Sequence, residues 1–222
     1  MDSVIKRTIT VQGASYAVEI PGDCPICHHH SELEMPHADS VQDRSAVQVV
    51  FRCAYRGCRS YFIGYYGAIG NPGLLGVKPI KPVLSQFAEA VAKISPTFIK
   101  VFAEAEEASQ LGLSQVAGPG YRKAFEFLIK DYAKSLAPDK SGDIEKKFSG
   151  AVVTDYIHDA RIQAVAKRCL WLGNDETHYL RQWTAHDIGD LVVLIKLTAN
   201  WIEIEYLSKT YVDEMPEKSP KS

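Results

Sequence analysis

Four cysteines, arranged as two closely spaced pairs, constrain the fold of the N-terminal part of this chain more than any other feature. Two residues separate Cys24 from Cys27, four separate Cys53 from Cys58, and 25 lie between the pairs. Short cysteine turns at the tips of two β-hairpins bring four thiolates to one tetrahedral ion. The spacing therefore predicts a zinc ribbon. Its Zn²⁺ would be structural, because four thiolates leave no coordination position open for chemistry.

Two disulfide bonds, or unrelated thiols, are the alternative interpretation of these cysteines. A metal is favoured because the four residues cluster, and because Zn²⁺ would stabilise a β unit whose own core is small. His28 directly follows the first pair and is an alternative ligand, but four cysteines already complete the set. The fifth cysteine, Cys169, lies in the helical part, where its neighbours predict a small buried apolar side chain.

Periodicity divides the chain into a β-rich and a helical part. Two runs rich in Thr, Val, Tyr and Ile meet at Gln12-Gly13, which predicts a hairpin, and two aromatic-rich strands are expected on either side of the second cysteine pair. Residues 67–82 are dense in Gly and Pro, so we expect a loop without regular structure. The predicted fold class is α+β, with a zinc-ribbon-like module and linker over 1–82, a helical bundle over 83–213 and a disordered tail over 214–222.

Capping residues mark the predicted helices. Ser95 followed by Pro96 predicts a helix start, and Asp159 predicts another. The sequence AGPG at 117–120 is expected to break the chain between two helices. A long helix is predicted from Ala160 to about Arg181, and a last helix from Thr184 with a capping box.

Composition limits the possible functions. The net charge is -2, with 46% hydrophobic and 23% charged residues, so no global positive field attracts nucleic acid. We find neither a signal-peptide core nor a run of about 18 apolar residues, and expect a cytoplasmic protein without a membrane partner. The motifs of P-loop, dinucleotide-binding and α/β-hydrolase proteins are absent as well.

Three arginines surround the second cysteine pair, with aromatic residues between them. Arg52, Arg56 and Arg59 could hold a single strand of nucleic acid by charge while the aromatic rings stack on its bases. The alternative is that the alternating aromatic residues form the core of a small ribbon, which then serves a structural or protein-docking role.

Long motifs in the helical part resemble a known family. The segments GYRKAFEFLIKDY and WLGNDETHY, together with the cysteine pairs, resemble the bacterial domain-of-unknown-function family 4145 over about residues 24–211. That family is similar to the HEPN (higher eukaryote and prokaryote nucleotide-binding) superfamily of small helical bundles, which are often dimeric and frequent in phage-defence and toxin systems. The resemblance implies a HEPN-like bundle, a homodimer, and a partner that is RNA, DNA, a nucleotide or a protein.

Many HEPN proteins are metal-independent ribonucleases in which an Arg precedes a His on one helix, with four to six residues between them. The resemblance implies His178 as acid or base and Asn174 as the polar residue before it. It departs at the arginine, since Gly173 lies five positions before the His. On a continuous helix Arg181 would lie near His178 in the reverse order, and Trp171 would extend this stripe.

The same polar cluster has a structural interpretation. Arg122 is expected to pair with Glu126 one turn on, or with Asp175 or Glu176 across the bundle, in a network that fixes the fold. Three functions follow as hypotheses. The first is a zinc-containing binding protein for nucleic acid, a nucleotide or a protein. The alternatives are a ribonuclease that uses His178 and a non-catalytic dimeric scaffold.

Overall fold

A computed structural model of the protein confirms the α+β class, with antiparallel sheets before a helical region. Two compact units divide the chain, residues 1–82 and residues 83–222. A HEPN-like arrangement of the helices stays a prediction. The structure describes residues 5–41, 46–67, 73–176, 179–180, 182–183 and 185–215.

A two-stranded sheet opens the β unit. It consists of β1 (Lys6–Val11) and β2 (Ala14–Glu19), which pair antiparallel across the turn at Gln12 and Gly13. Both turn residues have positive φ, +51° and +80°, as a tight hairpin between twisted strands requires. The predicted hairpin is therefore present.

A four-stranded antiparallel sheet in the order β3-β4-β5-β6 completes this unit. The strands are β3 (Leu33–Ser40), β4 (Val47–Cys53), β5 (Tyr61–Tyr66) and β6 (Leu74–Lys78). Alternate residues of β4 are fully buried, which matches the period of two in a strand with one face on a core. The two strands predicted beside the second cysteine pair are β4 and β5.

The expectation of a structureless segment over 67–82 was wrong, because β6 lies within it and pairs with β5. Gly and Pro are dense in the segment as a whole, but Leu74–Lys78 holds one Gly and no Pro. A window averaged over the segment hides so short a strand, whose hydrogen bonds come from its neighbour rather than from local propensity.

Seven α-helices are described in the second unit. They are α1 (Glu89–Ile94), α2 (Pro96–Gln110), α3 (Ser114–Leu136), α4 (Ser141–Lys146), α5 (Ser149–Tyr156), α6 (Ala160–Asp175) and α7 (Ile188–Glu214). Their buried side chains form one continuous apolar core. Among the described residues, no helix is both long and apolar enough to cross a membrane.

Two predicted helix starts are correct. The Ser95 hydroxyl accepts a hydrogen bond from the Phe98 amide, with Pro96 in the first turn. The Asp159 carboxylate accepts from the amides of Arg161 and Ile162 at 2.8 and 3.1 Å. In both cases a side-chain oxygen satisfies an amide that the first helical turn leaves without a partner.

The last helix begins later than predicted. Its N-cap is Asp187, whose carboxylate accepts from the amides of Gly189 and Asp190, while the Asp190 carboxylate accepts from the Asp187 amide. This reciprocal box makes Ile188 the first helical residue. Thr184, the predicted start, lies outside the described residues.

The predicted break at AGPG was also wrong, because α3 continues through residues 117–120. Pro119 removes only one backbone hydrogen bond near the start of a long helix. The glycines have a packing role that outweighs their low propensity. A Cβ on Gly120 would lie 2.9 Å from the Ala105 Cβ of α2, so glycine allows the two helices to approach closely.

Candidate metal centre and candidate binding site

The four predicted cysteines lie together at one end of the β unit. Their Sγ atoms are all within 4.8 Å of one another. Cys24 Sγ lies 3.9 Å from Cys58 Sγ, and Cys27 Sγ lies 3.8 Å from Cys53 Sγ. A tetrahedron of sulfur atoms about 2.3 Å from Zn²⁺ has edges of about 3.8 Å. The geometry therefore fits a metal site, and the cysteines form no disulfide bonds.

The two cysteine turns share one backbone geometry. The residue after the second cysteine of each pair, His28 and Arg59, has positive φ, +59° and +53°. The His28 amide donates to the carbonyl of Cys24, and the Arg59 amide donates to the carbonyl of Tyr55. Neither residue is the Gly or Asn that usually adopts this conformation. Both turns thus place a residue other than glycine in the left-handed region directly after a cysteine of the cluster.

The surroundings of the thiols affect their protonation. Burial raises the pKa of Cys24 to about 12, whereas hydrogen bonds from Ser60 lower the pKa of Cys58 to about 7. The Ile26 amide donates to Cys24 Sγ, and the Ser31 hydroxyl lies 3.2 Å from Cys53 Sγ. A cation that binds here must displace the proton of Cys24, so metal binding releases protons.

The histidines beside the first pair lie outside this sulfur cluster. His28 is exposed, the ring of His29 stacks on Tyr55 at 4.3 Å, and His30 contacts Asp23 at 3.1 Å. The cluster found among the described residues consists of cysteines alone. The four cysteines predicted from the sequence as metal ligands therefore form the cluster, and the histidines are not part of it.

The arginine patch of the β unit is partly neutralised. Arg52 and Arg59 each lie 3.4 Å from the carboxylate of Glu34, and Arg52 also lies over the ring of Tyr61. Arg56 is exposed. Of the aromatic residues between them, Phe51 and Phe62 are buried in the core, whereas Tyr55 and Tyr61 are exposed. Two of the four aromatic residues thus belong to the ribbon core, and contact of the other two with nucleic acid stays a prediction.

The polar segment of the helical unit lies where α6 ends. The long helix predicted to about Arg181 stops at Asp175, because the Asp175 carboxylate accepts the backbone amides of Gln182 and Trp183 at 2.6 and 3.0 Å. Asp175 is buried, and these bonds turn the following loop back against the helix end. His178 and Arg181 lie outside the described residues, so their predicted pairing stays a prediction.

Arg122 joins α3 to this end of α6. Its Nε donates to Asn174 Oδ1 at 2.9 Å, and its Nη1 lies 3.7 Å from the carboxylate of Glu126. Lys130 contacts the same carboxylate at 2.8 Å. Within the described part of the chain, Arg122 Nη1 is buried without a hydrogen-bond partner. The expected Arg122–Glu126 pair is present, and Asn174 is the partner across the bundle.

Gly173 allows this contact. A Cβ at this position would lie 2.6 Å from Cδ of Arg122, which is closer than real side chains approach. The neighbouring Gly118 of α3 is equally constrained, since its Cβ would lie 2.9 Å from Cβ of Glu176. Glycines on both helices therefore let the polar side chains cross between α3 and α6.

Two tryptophans form an aromatic surface beside this polar contact. The rings of Trp171 and Trp183 are parallel to within 3°, with centroids 6.4 Å apart. Trp171 is 51% exposed and Trp183 is 43% exposed. Both line a cavity of about 850 Å³ with Asn174, Asp175 and Gln182, and both line a second cavity of about 410 Å³.

Comparisons with protein-family models, with curated proteins and with solved structures gave no match to this chain. The site must therefore be interpreted from its own geometry. Of the predicted residues, Trp171, Asn174 and Asp175 line one cavity and Arg122 hydrogen-bonds Asn174, whereas Trp183 was not predicted. The only signal for Trp183 in the sequence is that a large aromatic residue lies close to a polar cluster. Its pairing with Trp171 depends on the path of the loop, which the sequence does not reveal.

We expect about one zinc ion per chain, because four thiolates complete one tetrahedral site. Replacement Cys27→Ser should remove the ion, whereas Cys169→Ser should retain it, since Cys169 lies in the core of the other unit. Mass spectrometry of the native protein and elemental analysis measure the metal content. A folded wild-type protein that contains no metal after expression with zinc would contradict the assignment.

The close contact at Gly173 predicts that Gly173→Ala lowers the free energy of unfolding by about 1–3 kcal/mol, because the new methyl group displaces Arg122. Urea denaturation measures the change. The matched control is Gly142→Ala in α4, where a Cβ meets nothing within 4 Å. It should be neutral or stabilising by up to about 1 kcal/mol. Equal effects of the two replacements would contradict the proposed crowding.

Proposed function

We propose that this protein is a zinc-containing binding protein that recognises single-stranded nucleic acid through the end of α6 and the loop that follows it. The observation that carries the proposal is the pair of parallel, half-exposed indole rings between two cavities. Exposed aromatic faces are the platforms on which proteins stack unpaired bases, and each stacked base contributes about 1–3 kcal/mol.

The metal centre has a structural part in this proposal. Cys24 and Cys53 are buried in the core of the β unit, and Cys27 and Cys58 pack against that core. Zn²⁺ bound by four thiolates would connect the turn after β2 to the end of β4 and the start of β5. Zinc is the ion of choice for such a site, because it prefers tetrahedral sulfur ligands and undergoes no redox chemistry.

The helical unit is a better candidate than the ribbon for contact with nucleic acid. In the ribbon, phosphate groups would have to displace Glu34 from Arg52 and Arg59. Exposed ion pairs are weak, so displacement is feasible, but the carboxylate lowers the local positive potential. The helical site instead offers exposed aromatic area beside the polar residues Asn174 and Gln182, and Arg168 lines the adjoining cavity.

The proposal predicts binding of unstructured RNA of about ten nucleotides, with an affinity that falls as salt is raised from about 50 to about 200 mM. Duplex RNA should bind at least about tenfold more weakly, because its bases are already stacked. Fluorescence anisotropy measures both. The replacement of Arg52 and Arg59 by Gln should change the affinity by less than about twofold. A complete absence of binding, or equal affinity for duplex RNA, would contradict the proposal.

A metal-independent ribonuclease is the second candidate, and the position of Arg122 favours it. The HEPN resemblance places an arginine at or near position 173, where this chain has Gly. The guanidinium of Arg122 enters from α3 beside Gly173 and hydrogen-bonds Asn174. An arginine from a neighbouring helix can neutralise a scissile phosphate as well as one from the same helix, because position decides its effect and chain order does not.

This second candidate predicts RNA cleavage that continues in excess chelator and is lost in His178→Ala. Arg122→Lys should reduce the rate by at least about tenfold, because Lys cannot form the bidentate contact of a guanidinium. Gel analysis of labelled RNA gives the rates, and far-ultraviolet circular dichroism verifies that each variant is folded. Binding without cleavage by the wild-type protein would exclude the ribonuclease and leave the binding function intact.

A further inference from the structure

One exposed face at the C-terminal end of α6 combines a cation with an aromatic surface. Arg168 and Trp171 are three residues apart on this helix and therefore lie on the same side, one turn from each other. Both line the cavity of about 410 Å³ together with Trp183, His186 and Asp190, whose carboxylate contacts the His186 ring at 3.1 Å. The Arg168 guanidinium is exposed, and its Nη1 donates to the Ala164 carbonyl. This hydrogen bond uses one of the five N–H groups of the guanidinium.

The second tryptophan is held in place by the helix end itself. The Trp183 amide donates to the buried carboxylate of Asp175, which belongs to α6. The ring of Trp183 is therefore positioned relative to Trp171 by a main-chain hydrogen bond as well as by ring contact. Such preorganisation reduces the ordering cost of binding, because the aromatic surface forms before a ligand arrives.

The shape and chemistry of this surface suit a flat, uncharged ring attached to an anion. Two ring faces parallel to within 3° match the flat faces of a nucleobase, whereas cages for methylated ammonium groups enclose their ligand with rings at several angles. Gln182 lines the larger cavity, and its side-chain amide can hydrogen-bond the edge of a base there. The guanidinium one turn from Trp171 supplies the donor geometry for a phosphate.

We propose that Arg168, Trp171 and Trp183 form a binding site for one unpaired nucleotide, with the base stacked on the two indole rings and its phosphate held by Arg168. The inference rests on the proposed function and specifies it, because it assigns the base and the phosphate to named side chains. The nucleotide is either part of a strand or free in solution, and both forms share this chemistry.

Tryptophan fluorescence tests the site, because a base that stacks on an indole quenches its emission. The chain has three tryptophans, and Trp201 provides the internal control, since it lies under the guanidinium of Arg161 and outside both cavities. Adenosine monophosphate should quench the wild-type protein and the Trp201→Phe variant alike. Ribose 5-phosphate, which has the phosphate but no base, should not quench. Adenosine, which lacks the phosphate, should bind at least about fivefold more weakly.

Three variants separate stacking from phosphate binding. Trp183→Leu should weaken binding of the nucleotide and of the RNA strand by about tenfold or more, and Trp183→Phe should restore most of the affinity because it keeps an aromatic face. Arg168→Gln should weaken binding of the monophosphate and leave that of adenosine unchanged. Isothermal titration calorimetry gives the affinities, and thermal melts show whether each variant has kept its fold.

The outcomes separate this inference from the function on which it rests. If RNA binds with wild-type affinity in folded Trp183→Leu and Arg168→Gln variants, the binding function stands and this site is wrong. If the monophosphate binds in a manner that depends on Trp183 and Arg168 but no strand binds, the site stands and its ligand is the free nucleotide. If neither ligand binds, both proposals are wrong.

Discussion

The buried carboxylate of Asp175 determines the geometry of the helical site. It ends α6, accepts the amides of Gln182 and Trp183, and thereby returns the chain to the helix that it has just left. Hydrogen bonds to a charged acceptor are stronger than those between neutral groups, and the removal of such a buried acceptor leaves two amides without partners. The parallel indole rings and the two cavities beside them all depend on this turn. A helix that continued to residue 181 would place none of these groups together.

The β unit depends on a different constraint, which is the closure of four thiols around one point. Among the described residues of this unit, twelve form the buried core, and two of them are cysteines of the cluster. A core of this size contributes little net stability once the conformational entropy of the chain is subtracted. The positive φ of His28 and Arg59, neither of which is glycine, indicates that the cysteine turns are held against local preference. Metal binding contributes directly to folding where the unfolded chain has no preformed site, so an ion held by these four thiols would stabilise the β unit.

The sequence predicted those features that local chemistry determines. The cysteine spacing, the hairpin at Gln12-Gly13 and the helix starts at Ser95 and Asp159 each depend on a few adjacent residues, and each is present. The predictions that were wrong concern features that depend on contacts between residues distant in the sequence. The end of α6 requires amides seven and eight residues after Asp175, and β6 requires β5 as a neighbour. Considered alone, the glycines of α3 predict a break in the helix. In the folded unit they allow α3 to pack closely against α2 and the end of α6. Pairing of two chains, which the family resemblance implies, stays a prediction.

The contact between Gly173 and Arg122 brings a guanidinium from α3 to the end of α6. A side chain at position 173 would occupy the space that Cδ of Arg122 fills, so an arginine from α6 and one from α3 exclude each other there. The side chain that enters from α3 is anchored by Asn174 and lies near Glu126, and its Nη1 is buried without a hydrogen bond among the described groups. A buried donor without a hydrogen bond is costly, and the Glu126 carboxylate 3.7 Å away offsets part of that cost by its charge. Crowding at Gly173 and the negative charge of Glu126 together fix the guanidinium of Arg122 between α3 and α6, beside the end of the helix that carries Trp171.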